Sequence, residues 1–495
     1  MVLNFQVLRV NLNSNDFTVE EISNDVLRLY IGGKGIGTKI LWEEVTEDVD
    51  PLGPKNKLIF VTGPVTGTRL ATANRYGVLF KSPLTGIYAE SYSGGFLAPK
   101  IRSSGFDVVV IEGKAKNPIY LVIDNGKVEF KSAESLWGLN SYETEDNIKN
   151  TEEKDFRVLC IGPAGENLVK IACIQNDKWH SAGRCGGGAV MGSKNLKAIA
   201  FRGTKKPQVD NPTYFDEVIK ETLTNIRERD AAYGKEGAFP YYGTPGMVNT
   251  SNSVGFFPTR YWSQGKTEFK DEIGPEKMME TILVKRTACW NCPFGCSKLC
   301  EVKEGPYECK VEGPEYETIY AFGGLCDIRD LDAIAKINDY CDQMGLDTIS
   351  AGNVAAFAIE ARRAGKIDVD FNLDYNNPDS VLKILELITF RRGVGDILAE
   401  GTRQAAKKLG LERIAVHSKG LEFGGYDPRA FRGMALSFAV SPIGPTHLRS
   451  TVFAAEGTMP TEIRLSYENK AELVKDWEDR MTIIDSLIVC KFTRA

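Results

Sequence analysis

The stretch Cys289-Trp-Asn-Cys292-Pro-Phe-Gly-Cys296-Ser-Lys-Leu-Cys300 spaces three cysteines as C-x2-C-x3-C and places another cysteine shortly after them. Thiolates at this spacing can hold one face of a compact metal centre and leave a position for one further ligand. Cys300 is the near candidate for that position, and Cys490 is the distant one. A remote fourth cysteine suits a four-iron cluster, whereas four cysteines within one loop can bind structural zinc. Zinc sites more often use two separate C-x2-C pairs, so iron–sulfur is the stronger interpretation.

Length and composition describe a globular, multidomain chain. Its 495 residues exceed one hydrophobic core, so two or three domains are expected. The 61 basic and 66 acidic residues give a net charge of −5, and the sequence has no basic run, no membrane-length apolar segment and no signal peptide. We therefore expect a cytoplasmic protein with neither a nucleic-acid nor a membrane partner. Eleven clustered cysteines favour metal ligation over a disulfide framework.

The coarse periodicity divides the chain. Residues 1–208 contain short apolar runs bounded by turn residues, which predict strands, and Asp124-Asn125-Gly126 predicts a hairpin turn. A polar, proline-broken segment at 205–212 ends this region. Beyond it, apolar residues recur at three- and four-residue spacing, and one predicted helix begins after Asp330 and ends at Gly345. The fold class is therefore α+β.

Three segments of the β-rich region join arginine, histidine or hydroxyl side chains to glycines: 74–77, 90–96 and 180–188. Glycine allows close backbone approach and arginine binds phosphate bidentately, so this combination suits a phosphate-bearing ligand. Each segment alone is typical of a tight turn, but three in one region make a ligand cradle about as good an explanation. The glycines at 32–37 lack the spacing of a phosphate loop, so we do not interpret them as one.

Two helix ends resemble each other. One predicted helix ends in Asp342-Gln-Met-Gly-Leu-Asp347, and the last ends in Asp485-Ser-Leu-Ile-Val-Cys490. Both place a polar or thiol group five residues after an aspartate. Two such ends could hold two similar halves of one ligand, although spacing alone favours coincidence.

Proton chemistry has few candidates. The only histidines are His180, His417 and His447, which excludes a histidine-rich metal site. Glu315 and Glu317 follow the cysteine cluster in sequence and offer a carboxylate base, while His447 offers an imidazole acid. Taken alone, they are surface acids and an ordinary loop histidine.

Nine segments occur in a characteristic order along the chain: 81–86, 93–96, 182–184, 192–199, the Cys289/Cys292/Cys296 triplet, 313–317, 342–347, 426–429 and 485–492. In this order they resemble the tungsten-containing aldehyde ferredoxin oxidoreductase family. The resemblance implies a β-rich domain, whose two sheets cradle a bis-pterin cofactor, followed by two mainly helical domains. We place these domains at 1–208, 209–419 and 420–495. Because the family continues beyond the Cys490 segment, the last domain is expected to be truncated: either a separate polypeptide supplies the rest, or the chain is a fragment.

The resemblance also implies the cofactors and their ligands. Tungsten is held by two pterins, a [4Fe–4S] cluster lies nearby, and Mg²⁺ bridges the pterin phosphates through main-chain oxygens near Tyr92 and Ser181. The implied phosphate ligands are Arg75, Tyr92, Gly94, His180, Ser181, Gly183 and Arg184. The implied ligands of one pterin are Asp342, Leu346 and Asp347, and those of the other are Asp485 and Cys490. The implied cluster ligands are Cys289, Cys292, Cys296 and Cys490.

The activity implied by the resemblance is oxidation of an aldehyde to the carboxylic acid, with water as the oxygen source and ferredoxin as the electron acceptor. Glu317 or Glu315 is expected to deprotonate water, and His447 to polarise the carbonyl or carry a proton. A homo-oligomer is also expected. The residues alone leave two alternatives: a non-redox protein that binds a phosphorylated ligand and has a zinc knuckle, and a truncated, non-catalytic relative.

Overall fold

The structure, a computed structural model, describes residues 5–152, 155–232 and 239–494. Twelve strands in the first 202 residues form two six-stranded sheets. The strands of the first sheet are β1 Phe5–Asn11, β2 Asp16–Ile22, β3 Leu58–Val61, β4 Tyr76–Lys81, β5 Tyr88–Ser93 and β6 Val108–Glu112. Those of the second are β7 Ile119–Asp124, β8 Lys127–Ser132, β9 Arg157–Cys160, β10 Ile174–Asn176, β11 His180–Ala182 and β12 Leu196–Arg202.

The two sheets are copies of one topology. The first has the order β2-β1-β6-β3-β4-β5, and the second has the matching order β8-β7-β12-β9-β10-β11. The β1–β6 and β7–β12 pairs are parallel, and the other neighbours in both sheets are antiparallel. The edge strands β5 and β11, which end the two copies, contact each other. Equivalent strands of the two copies therefore meet at β5 and β11.

Helices contact both sheets and form most of the ordered structure in the rest of the chain. Those of the β-rich region are α1 Asn24–Tyr30, α2 Gly33–Glu44, α3 Leu97–Ser103, α4 Ser141–Glu152, α5 Pro163–Glu166 and α6 Gly187–Ser193. The next are α7 Pro212–Ala232, α8 Phe239–Tyr242, α9 Met247–Val254, α10 Lys270–Ile273, α11 Pro275–Thr281 and α12 Tyr316–Thr318, which runs into a π-helix at Ile319–Gly324. The last are α13 Leu331–Met344, α14 Thr348–Arg363, α15 Pro378–Thr389, α16 Val394–Leu398, α17 Thr402–Leu409, α18 Arg432–Val440, α19 Phe453–Glu456, α20 Thr461–Arg464 and α21 Lys470–Leu487. Short 3-10 turns occupy Arg184–Gly186, Thr244–Gly246, Glu412–Ile414, Pro428–Ala430 and Lys491–Thr493.

The α+β prediction is confirmed, and several local predictions hold. Asp124 to Lys127 close a hairpin through two residues of positive φ, Asn125 and Gly126. The side chain of Asp330 caps α13, which ends at Gly345. The sequence did not predict the strands of the middle region, which are β13 Leu283–Thr287, β14 Ser297–Val302 and β15 Cys309–Glu312 in one sheet, and β16 His417–Ser418 and β17 Leu421–Glu422 in a hairpin. Within the described ranges, no helix has the length and apolar character needed to cross a bilayer.

The domain division stays a prediction. Its boundary at 208 falls in the coil between β12 and α7, and its boundary at 419 falls in the turn between β16 and β17.

Helices α13 and α21 end in the same way. Gly345 and Ile488 are both left-handed, at φ 75° and 56°, and each N–H donates to the carbonyl four residues earlier. The next residues, Leu346 and Val489, donate to those same carbonyls, on Cys341 and Ile484. This pair of bonds turns the chain sharply at the end of each helix. The similarity of the two helix ends thus extends from sequence to backbone conformation.

Each helix end rests on one copy of the β-sheet motif. A Cβ on Gly63, two residues after β3, would overlap the carbonyl oxygen of Leu487. A Cβ on Gly162, two residues after the matching strand β9, would overlap that of Met344. The close approach of two helix ends to two equivalent glycines brings Asp342 and Asp485 to equivalent places on the two copies.

Replacing Gly162 with alanine is expected to cost about 1–3 kcal/mol because the new methyl group must displace the end of α13. Gly365→Ala is the control: Gly365 has φ 67° and none of the described atoms lies within 4 Å of its Cβ position. Gly365→Ala is expected to lower the free energy of unfolding by only about 1 kcal/mol, because its single cost is an alanine in the left-handed conformation. Thermal unfolding midpoints in one buffer compare the two, and a smaller shift for Gly162→Ala would contradict this packing.

Candidate functional site

The cysteine triplet lies on the loop between β13 and β14, and the end of the chain comes to meet it. The thiols of Cys292 and Cys296 both interact electrostatically with those of Cys289 and Cys490. Nη1 of Arg75 lies 3.9 Å from Sγ of Cys490 and adds a positive charge to this group. The fold therefore gathers the four cysteines that the resemblance implied.

Cys300 is directed elsewhere. It is buried within β14, and its electrostatic neighbours are Glu315, Lys298 and Cys309. A zinc knuckle formed by Cys289, Cys292, Cys296 and Cys300 is therefore not favoured.

The cysteine loop is fixed to the β-rich region by backbone contacts. The amide of Trp290 donates to the carbonyl of Gly95 at 3.1 Å, and the side chain of Asn74 donates to the carbonyl of Trp290 at 2.5 Å. A Cβ on Gly94 would lie 3.0 Å from Sγ of Cys289. Glycine at position 94 thus lets the end of β5 approach a candidate cluster ligand.

Three of the predicted phosphate ligands surround this loop. Nη2 of Arg75 donates to the main-chain oxygen of Tyr92 at 3.1 Å, and Nε2 of His180 lies 3.5 Å from Sγ of Cys289. Burial works against a charged imidazole, but the Cys289 thiol and then Glu312 raise the pKa of His180 to about 10. The protonated, cationic form of His180 is therefore favoured beside Cys289, and its role as a phosphate ligand stays a prediction.

The predicted residues of α13 and β11 form a second group. The side-chain oxygens of Asp342 accept from Gln175 at 3.3 Å and Asn338 at 2.7 Å, and Leu346 is buried beside them. Asp347 caps α14 and lies close to Gly183, whose Cβ position is 3.9 Å from its Oδ1.

Two predicted residues complete the β11 and α21 sides of the site. Ser181 sits in β11, where it pairs with Gln175. Asp485, on α21, pairs with Lys491 at 2.7 Å.

Arg184 joins the β-rich region to both helical parts of the site. Its Nε lies 3.3 Å from Oδ2 of Asp347. Its Nη1 and Nη2 donate to the main-chain oxygens of Pro445 and Glu422 at 3.4 and 2.7 Å. These two carbonyls belong to the segments that carry His447 and hold Glu317. Arg184 therefore positions the catalytic candidates, and a role for it as a phosphate ligand stays a prediction.

Glu315 and Glu317 face different neighbours. Glu315 is hydrogen-bonded to the hydroxyl of Thr244 and lies near Lys298 and Cys296. Oε2 of Glu317 accepts from the amide of Gly425 at 3.1 Å, and its Oε1 lies 3.3 Å from Nδ1 of His447. The structure thus brings Glu317, and not Glu315, to the histidine.

Burial gives this pair opposite pKa shifts. It raises the pKa of Glu317 to about 8, against the opposing influence of the Gly425 amide and the Arg184 charge. It lowers the pKa of His447 to about 3, helped by the positive charges of Arg184, Lys491 and Arg494. At neutral pH both groups are therefore mainly uncharged, with the titratable proton on Glu317.

An aromatic cluster holds the histidine ring. Tyr426 stacks on His447 with ring centroids 5.0 Å apart, and the Phe453 ring lies 4.1 Å from that of Tyr426 and 6.3 Å from that of His447. The sequence analysis placed Tyr426 only within a family segment. A tyrosine before an Asp-Pro turn carries no local signal for a contact with a histidine twenty-one residues later.

Two family models match the chain. Residues 7–203 match the N-terminal domain of aldehyde ferredoxin oxidoreductase, and residues 217–495 match its domains 2 and 3. The chain belongs to the aldehyde ferredoxin oxidoreductase family. This confirms the resemblance, and membership implies a tungsten–pterin centre and an iron–sulfur cluster.

The proteins similar to this family member carry the names of different activities. The tungsten-containing aldehyde ferredoxin oxidoreductase of Pyrococcus furiosus is 36% identical over 98% of this chain and 81% of its own length. The WOR-like subunit of an aliphatic sulfonate oxidoreductase from the same organism is 32% identical over 94% of this chain and 78% of its own length. The BamBC active-site complex of benzoyl coenzyme A reductase, solved with 1,5-dienoyl-CoA, has a TM-score of 0.87 and 28% identity over 99% of this chain and 82% of that chain.

The side chains present fit the groups that the family implies. Four thiols with a guanidinium beside them are the donor set of a four-iron cluster. Several buried polar atoms make no hydrogen bond to any other described residue: Nδ1 of His180, Oε1 of Gln175 and Nε of Arg449. Buried polar atoms are normally paired, so this set favours a polar ligand between the two helix ends.

Sequence reasoning missed several buried cations near the site. Lys34 pairs with Glu90, Arg449 lies 3.9 Å from Oε1 of Glu90, and Lys491 pairs with Asp485. The only local signals were the glycines around Lys34 and the position of Lys491 next to Cys490.

Cys490→Ser is expected to lower the iron content and the EPR signal of anaerobically purified, reduced protein, because it removes a thiol from the gathered group. Cys300→Ser is the matched control. Cys300 is also a buried cysteine, on the strand β14 that follows the triplet loop, but it faces other neighbours. If Cys300→Ser lost iron while Cys490→Ser retained it, the assignment would reverse.

Proposed function

We propose that this chain oxidises an aldehyde to the carboxylic acid, with water as the oxygen source and ferredoxin as the electron acceptor. The observation that carries the proposal is the buried Glu317–His447 pair, with Oε1 and Nδ1 3.3 Å apart, in a tungsten oxidoreductase family member. A tungsten bis-pterin centre, when bound, supplies an acceptor for two electrons, and a [4Fe–4S] cluster passes them on singly. Water must lose protons while the aldehyde is oxidised, and the pair offers a place for them.

The duplicated fold supports a site for two pterins. We assign one pterin to Asp342, Leu346 and Asp347, and the other to Asp485 and Cys490, because α13 and α21 end in the same conformation. The phosphates belong where β5 and β11 meet, beside these residues: Arg75, Tyr92, Gly94, His180, Ser181, Gly183 and Arg184.

Mg²⁺ is assigned to the main-chain oxygens of Tyr92 and Ser181. These residues occupy matching places, since Tyr92 pairs with Gly77 in one hairpin and Ser181 pairs with Gln175 in its copy. A bridging ion between the two copies fits that arrangement.

The protonation of the pair decides the roles of its members. With Glu317 protonated, its carboxyl group can donate to Nδ1 of His447, which places the imidazole proton on Nε2. That N–H is then a donor for the carbonyl oxygen of the aldehyde. When solvent removes the Glu317 proton, the carboxylate is the base for water and accepts from Nδ1–H of His447, so the donor role of Nε2 and the base role of Glu317 belong to different protonation states of the pair. Glu315 faces Thr244 and Lys298, so we give it no part in the reaction.

We also infer that the chain works with other polypeptides. One relative is named as a subunit, and the solved relative is a BamBC complex. A homo-oligomer is a further expectation from the family. Light scattering of the protein purified from its source, with identification of any co-purifying chain, tests both.

Metal analysis and an aldehyde panel test the proposed activity directly. Protein purified without oxygen is expected to contain tungsten with about four irons per chain and to reduce ferredoxin with at least one aldehyde. Zinc without tungsten would support the structural knuckle instead. An intact metal content without turnover of any aldehyde would support the non-catalytic relative, or a substrate such as a sulfonate.

Glu317→Gln is expected to lower kcat by about 100-fold or more, because it removes the base. Glu315→Gln is the matched control, because it changes a second buried glutamate whose pKa is also raised by burial. That control is expected to stay within a few-fold of the parent and to keep tungsten and iron. Equal losses in the two variants would remove Glu317 from its role.

The pH profile of kcat/KM is expected to rise through about pH 8, since Glu317 must be deprotonated to act and burial raises its pKa to about 8. His447 contributes no rise between pH 5 and 9 because its pKa is lowered to about 3. A profile that falls across that range would contradict the assignment of Glu317 as the base.

A further inference from the structure

A cavity of about 590 Å³ opens to solvent on the outer side of the segment that holds Glu317. We call it the Arg363 pocket and define it by Arg260, Trp262, Arg363, Tyr375, Phe423 and Arg429. None of these residues belongs to the proposed cofactor or catalytic set.

The wall between the pocket and the catalytic pair is one stretch of chain. Phe423 lines the pocket and packs edge-on against Trp262, with ring centroids 5.6 Å apart. The next residue, Gly424, faces inward, where its Cβ position lies 3.0 Å from Nδ1 of His447. Gly425 then donates its amide to Glu317. A ligand in the pocket would therefore sit one residue away from the groups that perform the chemistry.

The exposed charge of the pocket is positive. Arg260 is 43% exposed, whereas its partner Asp327 is 3% exposed, and Arg429 is 62% exposed against 3% for Asp427. Arg363 is 53% exposed and lies 3.8 Å from Glu360. Asp327 and Asp427 are therefore covered, but Glu360 is 34% exposed, and Glu360 and Asp427 both line the pocket, so its three arginines face two carboxylates and one positive charge is left over. A guanidinium has five N–H donors, more than one carboxylate can accept, so donors remain for a further anion.

The pocket also offers flat aromatic surface. The guanidinium groups of Arg260 and Arg363 both lie 5.4 Å from the ring centroid of Tyr375. Trp262 and Phe423 add two more rings on the inner side. Guanidinium groups beside aromatic rings bind a flat ligand through its faces and an attached anion through charge-assisted hydrogen bonds.

The backbone that presents Trp262 is strained. Arg260, Tyr261 and Trp262 have φ of 44°, 42° and 66°, three consecutive bulky residues in the left-handed region. The turn is held by the amides of Arg260 and Tyr261, which donate at 3.0 Å to the carbonyls of Gly324 and Leu325 in and after the π-helix. Strain of this kind clusters at ligand sites, where surrounding contacts maintain it.

We propose that the Arg363 pocket binds an aromatic carboxylate. Its ring lies against Tyr375, Trp262 and Phe423, and its carboxylate accepts hydrogen bonds from the arginines at the rim. The ligand has two sources: the acid that this chain forms from an aromatic aldehyde, or an aromatic acid supplied from elsewhere. The first source rests on the proposed function, but binding itself needs no turnover.

Calorimetric titration of the anaerobically purified holoenzyme with 2-naphthoate tests the site. Saturable binding is expected, with weaker binding of the uncharged 2-naphthamide and of the ringless acetate. Arg363→Gln is expected to weaken 2-naphthoate about tenfold, since it removes a charged hydrogen bond, and Arg363→Lys to restore part of the loss.

Arg392→Gln is the matched control and is expected to bind as the parent does. Arg392 is also an exposed arginine that faces a glutamate, at 3.5 Å from Glu386, and it packs on Phe390 at 4.9 Å. The proposal is overturned if 2-naphthoate does not bind saturably, if 2-naphthamide binds equally well, or if Arg363→Gln and Arg392→Gln change the affinity alike.

Kinetics then separate the two sources. If 2-naphthoate inhibits oxidation of 2-naphthaldehyde in the parent and not in Arg363→Gln, the pocket holds the product of the chain's own reaction. If it binds through Arg363 without affecting turnover of any aldehyde, the acid comes from elsewhere. Absence of aldehyde oxidation together with Arg363-dependent binding would refute the proposed function and leave the site in place.

Discussion

The close approach of two helix ends to two glycines is the constraint on which this structure depends. Gly63 and Gly162 follow equivalent strands of a duplicated sheet, and each accepts a helix carbonyl where a side chain would not fit. That approach places the aspartates of α13 and α21 equivalently on the two copies. The duplicated sheets therefore offer two equivalent contact points, Gly63 and Gly162. The end of α21 packs on the first and the end of α13 on the second.

Arg184 connects the second sheet to the segments that hold Glu317 and His447. It follows β11 in the second copy of the sheet motif and pairs with Asp347, which comes after α13. It also donates to the carbonyls of Glu422 and Pro445 in the last third of the chain. A buried guanidinium needs such partners, because an unpaired charge in the interior is costly. Its own charge in turn helps to keep His447 neutral. Packing and proton chemistry are thus coupled through one side chain.

The difference between Glu315 and Glu317 follows from their places at the start of α12. Glu315 is the N-cap residue and has an extended backbone, with φ −78° and ψ 164°, whereas Glu317 lies inside the first turn. One carboxylate therefore faces Thr244 and the cysteine loop, and the other faces Gly425 and His447. The residues alone do not predict where so short a helix begins or which of its side chains share a face, since α12 spans only Tyr316–Thr318 before the π-helix begins. Either glutamate therefore remained possible from the sequence.

What the sequence determined by itself was local. The hairpin at Asn125-Gly126, the cap at Asp330, the stop at Gly345 and the C-x2-C-x3-C spacing all depend on residues within a few positions of each other. The tertiary structure decided which cysteine joins the triplet, because Arg75 and Cys490 meet across 415 positions of chain. It also decided that two similar helix ends rest on equivalent glycines of the two sheets, and that three arginines line a pocket beside the Glu317 segment. Such contacts depend on how distant segments pack, and no short-range pattern in the residues encodes them.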